Sequence, residues 1–361
     1  VNPAFLTGRD DLTGERRVAD YLAFTADRAG LELEWQEVLP GRSNLLARLT
    51  PAGGQIRRRI LLAPHMDTVG VDGEARFKPV VKQGRMHGRG ACDTKGSIAI
   101  YLAALLELAS KGPRPRETEI ILTALVDEEN GQRGSRAFAA RRMPADLAIV
   151  GEPTRLKVVT AHKGDLWLRI TTHGRSAHGS KPHLGRNAIL SMARIVEELE
   201  TNYATALKRC THPLLGHATI NVGTITGGRQ PNIVPDACEI SIDRRTVPGE
   251  SDAAVCRELR ALLRRCDRSA ELIDTKNAPC PALETDPDLP LVRQLMRCAG
   301  QRQPAGVDYF SDAAVLATGG IPSLLLGPGD IAQAHTVDEW VDLTHLERGT
   351  RLLVKFLREQ P

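Results

Sequence analysis

The sequence predicts an α/β protein: a three-layer domain with a mostly parallel sheet, interrupted by a smaller ferredoxin-like (βαββαβ) domain. Two patterns carry this prediction. Short apolar runs alternate with helical segments in the first third of the chain and return near its end, which is typical of a parallel sheet with crossover helices. The middle of the chain shows half-polar strands and amphipathic helices instead. At about 150 residues per domain, 361 residues also suggest two domains.

The elements of the larger domain follow from uninterrupted apolar runs. Four of these runs predict buried strands, at 59–63, 119–126, 146–150 and 322–326. A helix is predicted over 98–109, where apolar residues mix with good helix formers.

The inserted domain is predicted from the order of its elements. Strands are expected at 166–172, 218–225, 237–245 and 270–275, and helices at 187–207 and 251–265, with Ser251 as N-cap of the second. This β-α-β-β-α-β order is the split βαβ arrangement. The predicted domains are therefore 1–164 and 276–361 for the larger one, and 165–275 for the insertion.

Composition excludes several classes of protein. Hydrophobic residues make up 42% of the chain and charged residues 25%, which argues against a disordered chain or a disulfide scaffold. A net charge of +4 and 4% aromatic residues do not favour nucleic acid as a partner. No run is long enough for a transmembrane helix. The first residues lack the layout of a secretory signal, and the seven scattered cysteines suggest reduced thiols, so a cytoplasmic location is expected.

Acidic residues and a histidine follow three of the predicted strands. His65 and Asp67 come after the first strand, Glu128 and Glu129 after the second, and Glu152 after the third. Ligands bind beyond the carboxyl ends of strands in open α/β sheets, so these side chains are expected at one edge.

Two further segments can join that edge. One is the glycine-rich loop 88–96, which carries Asp93 just before a helix, and the other is the loop 333–335, which ends in His335. Histidine and carboxylates together suit zinc or a similar divalent ion. Two histidines and three carboxylates exceed one tetrahedral site and fit two metals that share a carboxylate and a water. In the adjacent glutamates, one can bind metal while the other takes a proton from water.

Six motifs in order make the chain similar to a known family. They are His65-Met66-Asp67-Thr68-Val69, the loop 88–96, Asp127-Glu128-Glu129, Gly151-Glu152-Pro153-Thr154, Gly174-Arg175-Ser176-Ala177-His178 and Gln333-Ala334-His335. They resemble the co-catalytic zinc metallopeptidase and amidohydrolase family of acetylornithine deacetylase, succinyl-diaminopimelate desuccinylase, aminoacylase and glutamate carboxypeptidase. The stretches 151–154, 161–164 and 326–335, with Asp338-Glu339, are most similar to the acetylornithine deacetylase members.

The resemblance implies a role for each matching residue of the larger domain. His65 and Glu152 would bind one metal, Glu129 and His335 the second, Asp93 would bridge both, Glu128 would be the general base, and Asp67 would orient His65. The metals implied are two divalent ions, most often Zn²⁺, with Co²⁺ or Mn²⁺ as alternatives. The peptide bond after the residue that matches Asp93 is often cis in this family. The implied fold is a zinc-aminopeptidase-like catalytic domain with an inserted dimerisation or lid domain.

The resemblance also assigns residues of the insertion. His178 would reach the active site of a partner subunit in a homodimer and stabilise the oxyanion. Asn232 and Arg245 would bind the α-carboxylate of the substrate. The implied reaction is hydrolysis of an N-acyl-amino acid, and a carboxypeptidase or dipeptidase of the same family is the alternative. A non-catalytic metal-binding protein and a hydrolase with Cys92 as nucleophile are the more distant alternatives.

Overall fold

The computed structural model describes residues 1–6, 12–71, 73, 77–110, 113–276 and 278–361. In chain order the strands are β1 Glu32–Leu39, β2 Arg42–Leu49, β3 Arg58–Ala63, β4 Val80–Lys82, β5 Arg85–His87, β6 Thr118–Ala124, β7 Leu147–Val150, β8 Val159–His162, β9 Gly164–His173, β10 Thr211–His212, β11 Gly216–His217, β12 Thr219–Gly227, β13 Ala237–Thr246, β14 Glu271–Asp274, β15 Leu283–Glu284, β16 Ala305–Val307, β17 Ser323–Leu325 and β18 Trp340–Asp342. The α-helices are α1 Arg16–Arg28, α2 Lys95–Ser110, α3 Arg133–Ala140, α4 Ala188–Glu198, α5 Ala204–Leu207, α6 Asp252–Cys266, α7 Pro290–Cys298, α8 Asp312–Thr318 and α9 Leu343–Arg358.

The chain divides into two compact units. The first, called the catalytic unit after the catalytic domain that the resemblance implies, comprises Val1–Thr160, Thr285–Ala305 and Ser311–Pro361. The second, the inserted unit, comprises Ala161–Glu284 and Gly306–Phe310. The sequence places the insertion at 165–275, and the second unit contains that range.

The sheet of the catalytic unit is parallel at its centre and antiparallel towards both edges. Its strands lie in the order β1-β2-β6-β3-β7-β17-β8. The pairs β6–β3, β3–β7 and β7–β17 are parallel, whereas β1–β2, β2–β6 and β17–β8 are antiparallel. The predicted α/β class with a mostly parallel central sheet is therefore confirmed.

Helices cover both faces of this sheet. One face of the sheet packs in an apolar core with helices α1, α2, α7 and α9. On the other face, α3 and α8 contact each other and the strands. Helix α2 is apolar around much of its circumference because it lies between the sheet and α9. Strands β6 and β7 are buried along their whole length, which explains their uninterrupted apolar runs.

The inserted unit contains the predicted β-α-β-β-α-β order. Its four-stranded sheet has the order β12-β13-β9-β14, and every pair is antiparallel. Ser251 caps α6, as predicted, by accepting a hydrogen bond from the backbone N–H of Ala254 at 3.3 Å. The helix predicted over 187–207 consists of α4, a π-helical turn at Leu199–Tyr203, and α5.

Two chain-wide properties complete the description. The seven cysteines all carry free thiols. Among the helices in the described ranges, none combines the length and the apolar character that a membrane span requires.

Candidate metal centre

The candidate centre lies at the carboxyl ends of three parallel strands. Beyond β3 and β6 the parallel pairing continues, because the N–H of Met66 donates to the carbonyl of Leu125 at 2.8 Å. The N–H of Gly151, after β7, donates to the carbonyl of Ala63 at 3.3 Å. These bonds bring the residues that follow the three strands to one edge of the sheet, as the sequence predicts.

The loop before α2 adds Asp93, whose carboxylate contacts two imidazole rings. Its Oδ1 lies 3.1 Å from Nε2 of His65, and its Oδ2 lies 3.2 Å from Nε2 of His335. The same Nε2 of His335 lies 3.2 Å from Oε2 of Glu129. The peptide between Asp93 and Thr94 is cis, the form often found in the family that the motifs resemble. One carboxylate thus faces both histidines.

Asp67 connects the His65 ring to the glutamate pair. Nδ1 of His65 lies 3.1 Å from the carbonyl oxygen of Asp67 and 3.4 Å from its carboxylate. The same carboxylate accepts the backbone N–H groups of Glu128 and Glu129, both at 3.1 Å. The Asp67 contacts place a proton on Nδ1, so that Nε2, the nitrogen that faces Asp93, is the one that would bind a metal ion.

Two residues at the centre, Asp127 and His335, have a strained backbone. Asp127, at the end of the β6 segment, has φ of 66°, and His335 has φ of 60°. Non-glycine residues rarely adopt this left-handed region unless their surroundings hold them there. Asp127 is held by its carboxylate, which accepts hydrogen bonds from Asn2 at 2.9 Å and Arg42 at 3.1 Å.

The two rings and Asp93 hold charge in the absence of metal. Burial would lower the pKa of His65, but hydrogen bonds to Asp67 and Asp93 outweigh it and raise that pKa well above its ordinary value. Hydrogen bonds with Asp93 and Glu129 raise the pKa of His335 to about 10. Burial would raise the pKa of Asp93, but hydrogen bonds from His335 and His65 lower it instead. These pKa shifts show an excess of negative charge around the rings of His65 and His335.

The remaining carboxyl groups of the centre show the effect of burial. Burial raises the pKa of Glu128 and Glu152 well above the ordinary value, and it also raises that of Glu129. Burial raises the pKa of Asp312 to about 6, although Ser135 donates a hydrogen bond to it. Buried carboxyl groups that repel one another in this way are stabilised by a cation.

The residues present fit divalent metal ions. Ligand atoms of His65, Asp93 and Glu129 lie within 4.8 Å of one another. Oε1 of Glu152 is buried with no hydrogen-bond partner in the described part of the chain. Imidazole nitrogen and carboxylate oxygen are the donors that zinc takes, and carboxylate-rich sites also accept cobalt or manganese. Glu152 and His335 could therefore bind metal together with His65, Asp93 and Glu129.

The inserted unit carries the other three predicted residues. His178 is exposed, with Nδ1 2.7 Å from the hydroxyl of Ser180. It lies close to Asn232, since the N–H of Gly179 donates to the Asn232 carbonyl at 2.7 Å. Arg245 lies elsewhere in this unit, with its Nε 2.9 Å from Asp243. The structure thus groups His178 with Asn232 but not with Arg245.

Three residues of the centre have no predicted role. Asn2 donates to the Asp67 carboxylate at 2.7 Å, Asp312 is buried within the electrostatic range of Glu128, and Glu339 is hydrogen-bonded to the loop that carries Asp93. The sequence indicates Asp338-Glu339 only as part of a family motif and predicts no role for Glu339.

Cys92 lies in the same loop and is a poor nucleophile. Its side chain is fully buried, and burial raises the pKa of the thiol. The thiol of Cys92 donates a hydrogen bond to the carbonyl oxygen of Asp330, with Sγ and oxygen 3.3 Å apart. A reactive cysteine needs a lowered pKa and access to substrate, so the alternative of a thiol hydrolase is not supported.

Comparison with known proteins identifies the relatives of the chain. The profile of peptidase family M20/M25/M40 matches residues 61–359. The acetylornithine deacetylase of Aliivibrio fischeri is 32% identical over 354 residues, which cover 95% of this chain and 91% of that protein. That of Proteus mirabilis is 32% identical and covers 92% of this chain and 87% of its own length.

Solved structures show the same fold at lower identity. The aminopeptidase PepT of Bacillus cereus superposes with a TM-score of 0.80 at 24% identity, covering 96% of this chain and 93% of its own. A dinuclear metal-binding peptidase of the M20 family from Bacillus subtilis gives a TM-score of 0.69 at 14% identity, covering 95% of this chain and 91% of its own.

Proposed function

Since this chain belongs to peptidase family M20/M25/M40, we propose that it hydrolyses the amide bond of an N-acyl-amino acid and releases a carboxylate and a free amino acid. The observation that carries the proposal is the cluster in which the buried Asp93 faces the buried His65 and the exposed His335. The buried Glu128 is close enough to His65 to raise the pKa of its ring. The relatives named acetylornithine deacetylase favour N-acetylornithine as the substrate.

The proposed ligands are the five residues that the motifs indicate, and the close approach of His65, Asp93 and Glu129 supports them. His65 and Glu152 would hold one ion, Glu129 and His335 the other, and Asp93 both. Divalent ions supply a Lewis acid for the amide carbonyl and make a neighbouring water more acidic. Two Zn²⁺ ions are proposed, with Co²⁺ or Mn²⁺ as substitutes.

Glu128 is the proposed general base. Its backbone N–H donates to Asp67, and its carboxylate accepts no hydrogen bond from the residues that the structure describes. Burial raises its pKa, which makes it a stronger base once it is ionised. Glu128 would accept the proton of the attacking water and then deliver it to the nitrogen of the departing amino acid.

The inserted unit would supply the residues for the oxyanion and the substrate carboxylate. His178 is exposed, so its ring can reach a partner subunit. Strand β12 lies at the edge of its sheet and exposes Ile225, which a homodimer would cover. The guanidinium of Arg245 offers a bidentate fork for a carboxylate, in competition with Asp243.

A substrate panel tests the proposal. N-acetylornithine, other N-acetyl-amino acids, N-succinyl-amino acids and dipeptides are compared by kcat/KM with zinc or cobalt added. The proposal predicts the highest value for N-acetylornithine. A preference for dipeptides or for peptides with C-terminal glutamate would assign the chain to a peptidase instead, and no hydrolysis of any substrate would favour a non-catalytic protein.

A further inference from the structure

The buried carboxylate of Glu339 accepts four hydrogen bonds from the loop that carries Asp93. Its Oε1 accepts the backbone N–H groups of Cys92 at 2.8 Å and Asp93 at 2.9 Å. Its Oε2 accepts the N–H of Gly90 at 3.0 Å and Nη1 of Arg89 at 2.6 Å. The side chain is only 3% exposed, so these bonds are shielded from water.

The backbone of the same residue is tied to the start of that loop. Glu339 immediately precedes β18, which pairs with β5, and its carbonyl accepts the N–H of Gly88 at 3.0 Å. The loop is therefore fixed to residue 339 through both main chain and side chain. Charge-assisted hydrogen bonds to backbone N–H groups are about twice as strong as neutral ones.

We propose that Glu339 is a positioning residue for the metal pair, because it fixes the backbone from which the Asp93 carboxylate faces both histidines. The inference rests on the proposed role of Asp93 as the shared ligand. Glu339 bonds the N–H of Asp93 itself, two covalent bonds from the carbon that bears the carboxylate. A small shift of this loop displaces the one ligand that serves both ions.

The substitution Glu339→Gln isolates this effect at nearly constant volume. The amide carbonyl can still accept from Cys92 and Asp93, but its NH₂ group then faces the N–H of Gly90 and the guanidinium of Arg89. Donors face donors, and Arg89 loses its buried counter-charge. Changes in residues that support metal ligands typically reduce metal affinity by about 10–100-fold, and we expect a reduction of that size.

The matched control is Glu119→Gln in the same unit. Glu119 is also buried and also paired with arginine, but it lies near the start of β6, whereas Glu128 follows the end of that strand. Glu119→Gln removes a buried carboxylate from Arg59 and Arg48, as Glu339→Gln removes one from Arg89, so the control shows what such a loss does to the fold alone.

The experiment measures metal binding by the full chain rather than activity alone. Zinc dissociation constants are determined by competition with a chromophoric chelator, and visible absorption is recorded for the cobalt-loaded proteins. We expect Glu339→Gln to weaken zinc binding about 10–100-fold and to change the cobalt spectrum, while Glu119→Gln leaves both as in wild type. Thermal unfolding of the metal-free proteins shows whether each variant is folded.

Two results would overturn the inference. Equal metal affinity and equal cobalt spectra in Glu339→Gln and Glu119→Gln would show that Glu339 only stabilises the fold. If Glu339→Gln does not fold, the same comparison is made with Arg89→Gln. This variant removes the positive charge beside the Glu339 carboxylate and leaves the hydrogen bond from the Asp93 N–H to Glu339 in place. Wild-type protein that binds no zinc or cobalt would overturn the proposed function as well, which separates the two failures.

Discussion

Each unit of the molecule buries an imidazole ring completely, and the two rings have opposite properties. His65 in the catalytic unit lies against the carboxylates of Asp67 and Asp93, and these raise its pKa well above 6.5 despite its burial. His162 in the inserted unit has its Nδ1 2.9 Å from the backbone carbonyl of Lys163, and burial lowers its pKa to about 4.

The difference shows that neighbours, and not burial, distinguish the proposed ligand histidine from a histidine packed in a core. His162 is neutral and contacts neutral groups, as expected for a ring in a core. His65 is surrounded by more negative charge than it can balance, and a divalent cation removes that imbalance. The predictions below test this contrast, beginning with the largest expected effect.

The proposed base, Glu128, should show the largest effect when it is replaced. Glu128→Gln removes the proton acceptor, because an amide does not take a proton from water at neutral pH, and kcat should fall on the order of 10²–10⁴-fold. Metal content, measured by atomic emission, should stay at the wild-type level because Glu128 is not a proposed ligand. Near-normal turnover in this variant would place the base elsewhere.

Mixed dimers test whether the exposed His178 serves another chain. His178→Ala alone should lose on the order of 10²–10³-fold in kcat, the usual effect of removing an oxyanion donor. When His178→Ala chains are mixed with Glu128→Gln chains, about half of the dimers are mixed, and each has one intact site. About a quarter of wild-type activity should return. A mixture that exchanges chains but stays inactive would assign His178 to its own subunit.

The pH dependence of stability should separate the two histidines next. The pKa of His162 is about 4 in the folded state and 6.5 in the unfolded chain, so the unfolded chain takes up its proton first. The contribution of His162 is complete above pH 6.5 and is lost as the pH falls towards 4. Between neutral pH and about pH 4.5 this amounts to about 2–3 kcal/mol of unfolding free energy.

Chemical denaturation at both pH values measures this contribution. Wild type should lose more stability between them than His162→Gln, because glutamine does not titrate. The metal centre is the same in both proteins, so its own acid sensitivity cancels in the comparison. An equal loss in the two proteins would show that His162 does not set this dependence.

Asp67 and His162 should differ in their effect on metal. Asp67→Asn removes the charge beside His65 and turns an NH₂ group towards the N–H group of either Glu128 or Glu129, so zinc affinity should fall about 10–100-fold. His162→Gln should leave zinc affinity unchanged. Calorimetric titration with zinc measures both, and a similar effect in the two variants would remove the distinction between the rings.

The parallel core of the fold was predictable from the sequence, but the antiparallel edge that contains β1 was not. Strands β3, β6 and β7 are buried on both faces, and burial leaves continuous apolar runs. Strand β1 lies at the edge of the sheet and carries Glu32, Glu34 and Glu37 among its apolar residues, so the run that marks a buried strand is missing. Its alternation is weak because neither face is fully covered.

The metal centre, like the sheet, was predictable from the sequence only in part. His65, Asp93, Glu129 and His335 stand in recognisable motifs, and the structure brings them together, although their roles stay predictions. Glu339 bonds a loop that lies 246 residues earlier in the chain, at Asp93, and it does so through backbone N–H groups. Every residue type except proline offers such a group, so the contact leaves no pattern of side chains to find.

Metal reconstitution tests the central claim most directly. The protein is stripped with a chelator, Zn²⁺ is added back stepwise, and the hydrolysis of N-acetylornithine is followed together with bound zinc. The stripped protein should be inactive, and activity should rise with bound metal until two ions are held per chain. Full activity in the stripped protein, or none after loading with zinc, cobalt or manganese, would contradict a metal-dependent hydrolase built on Asp93 and Glu128.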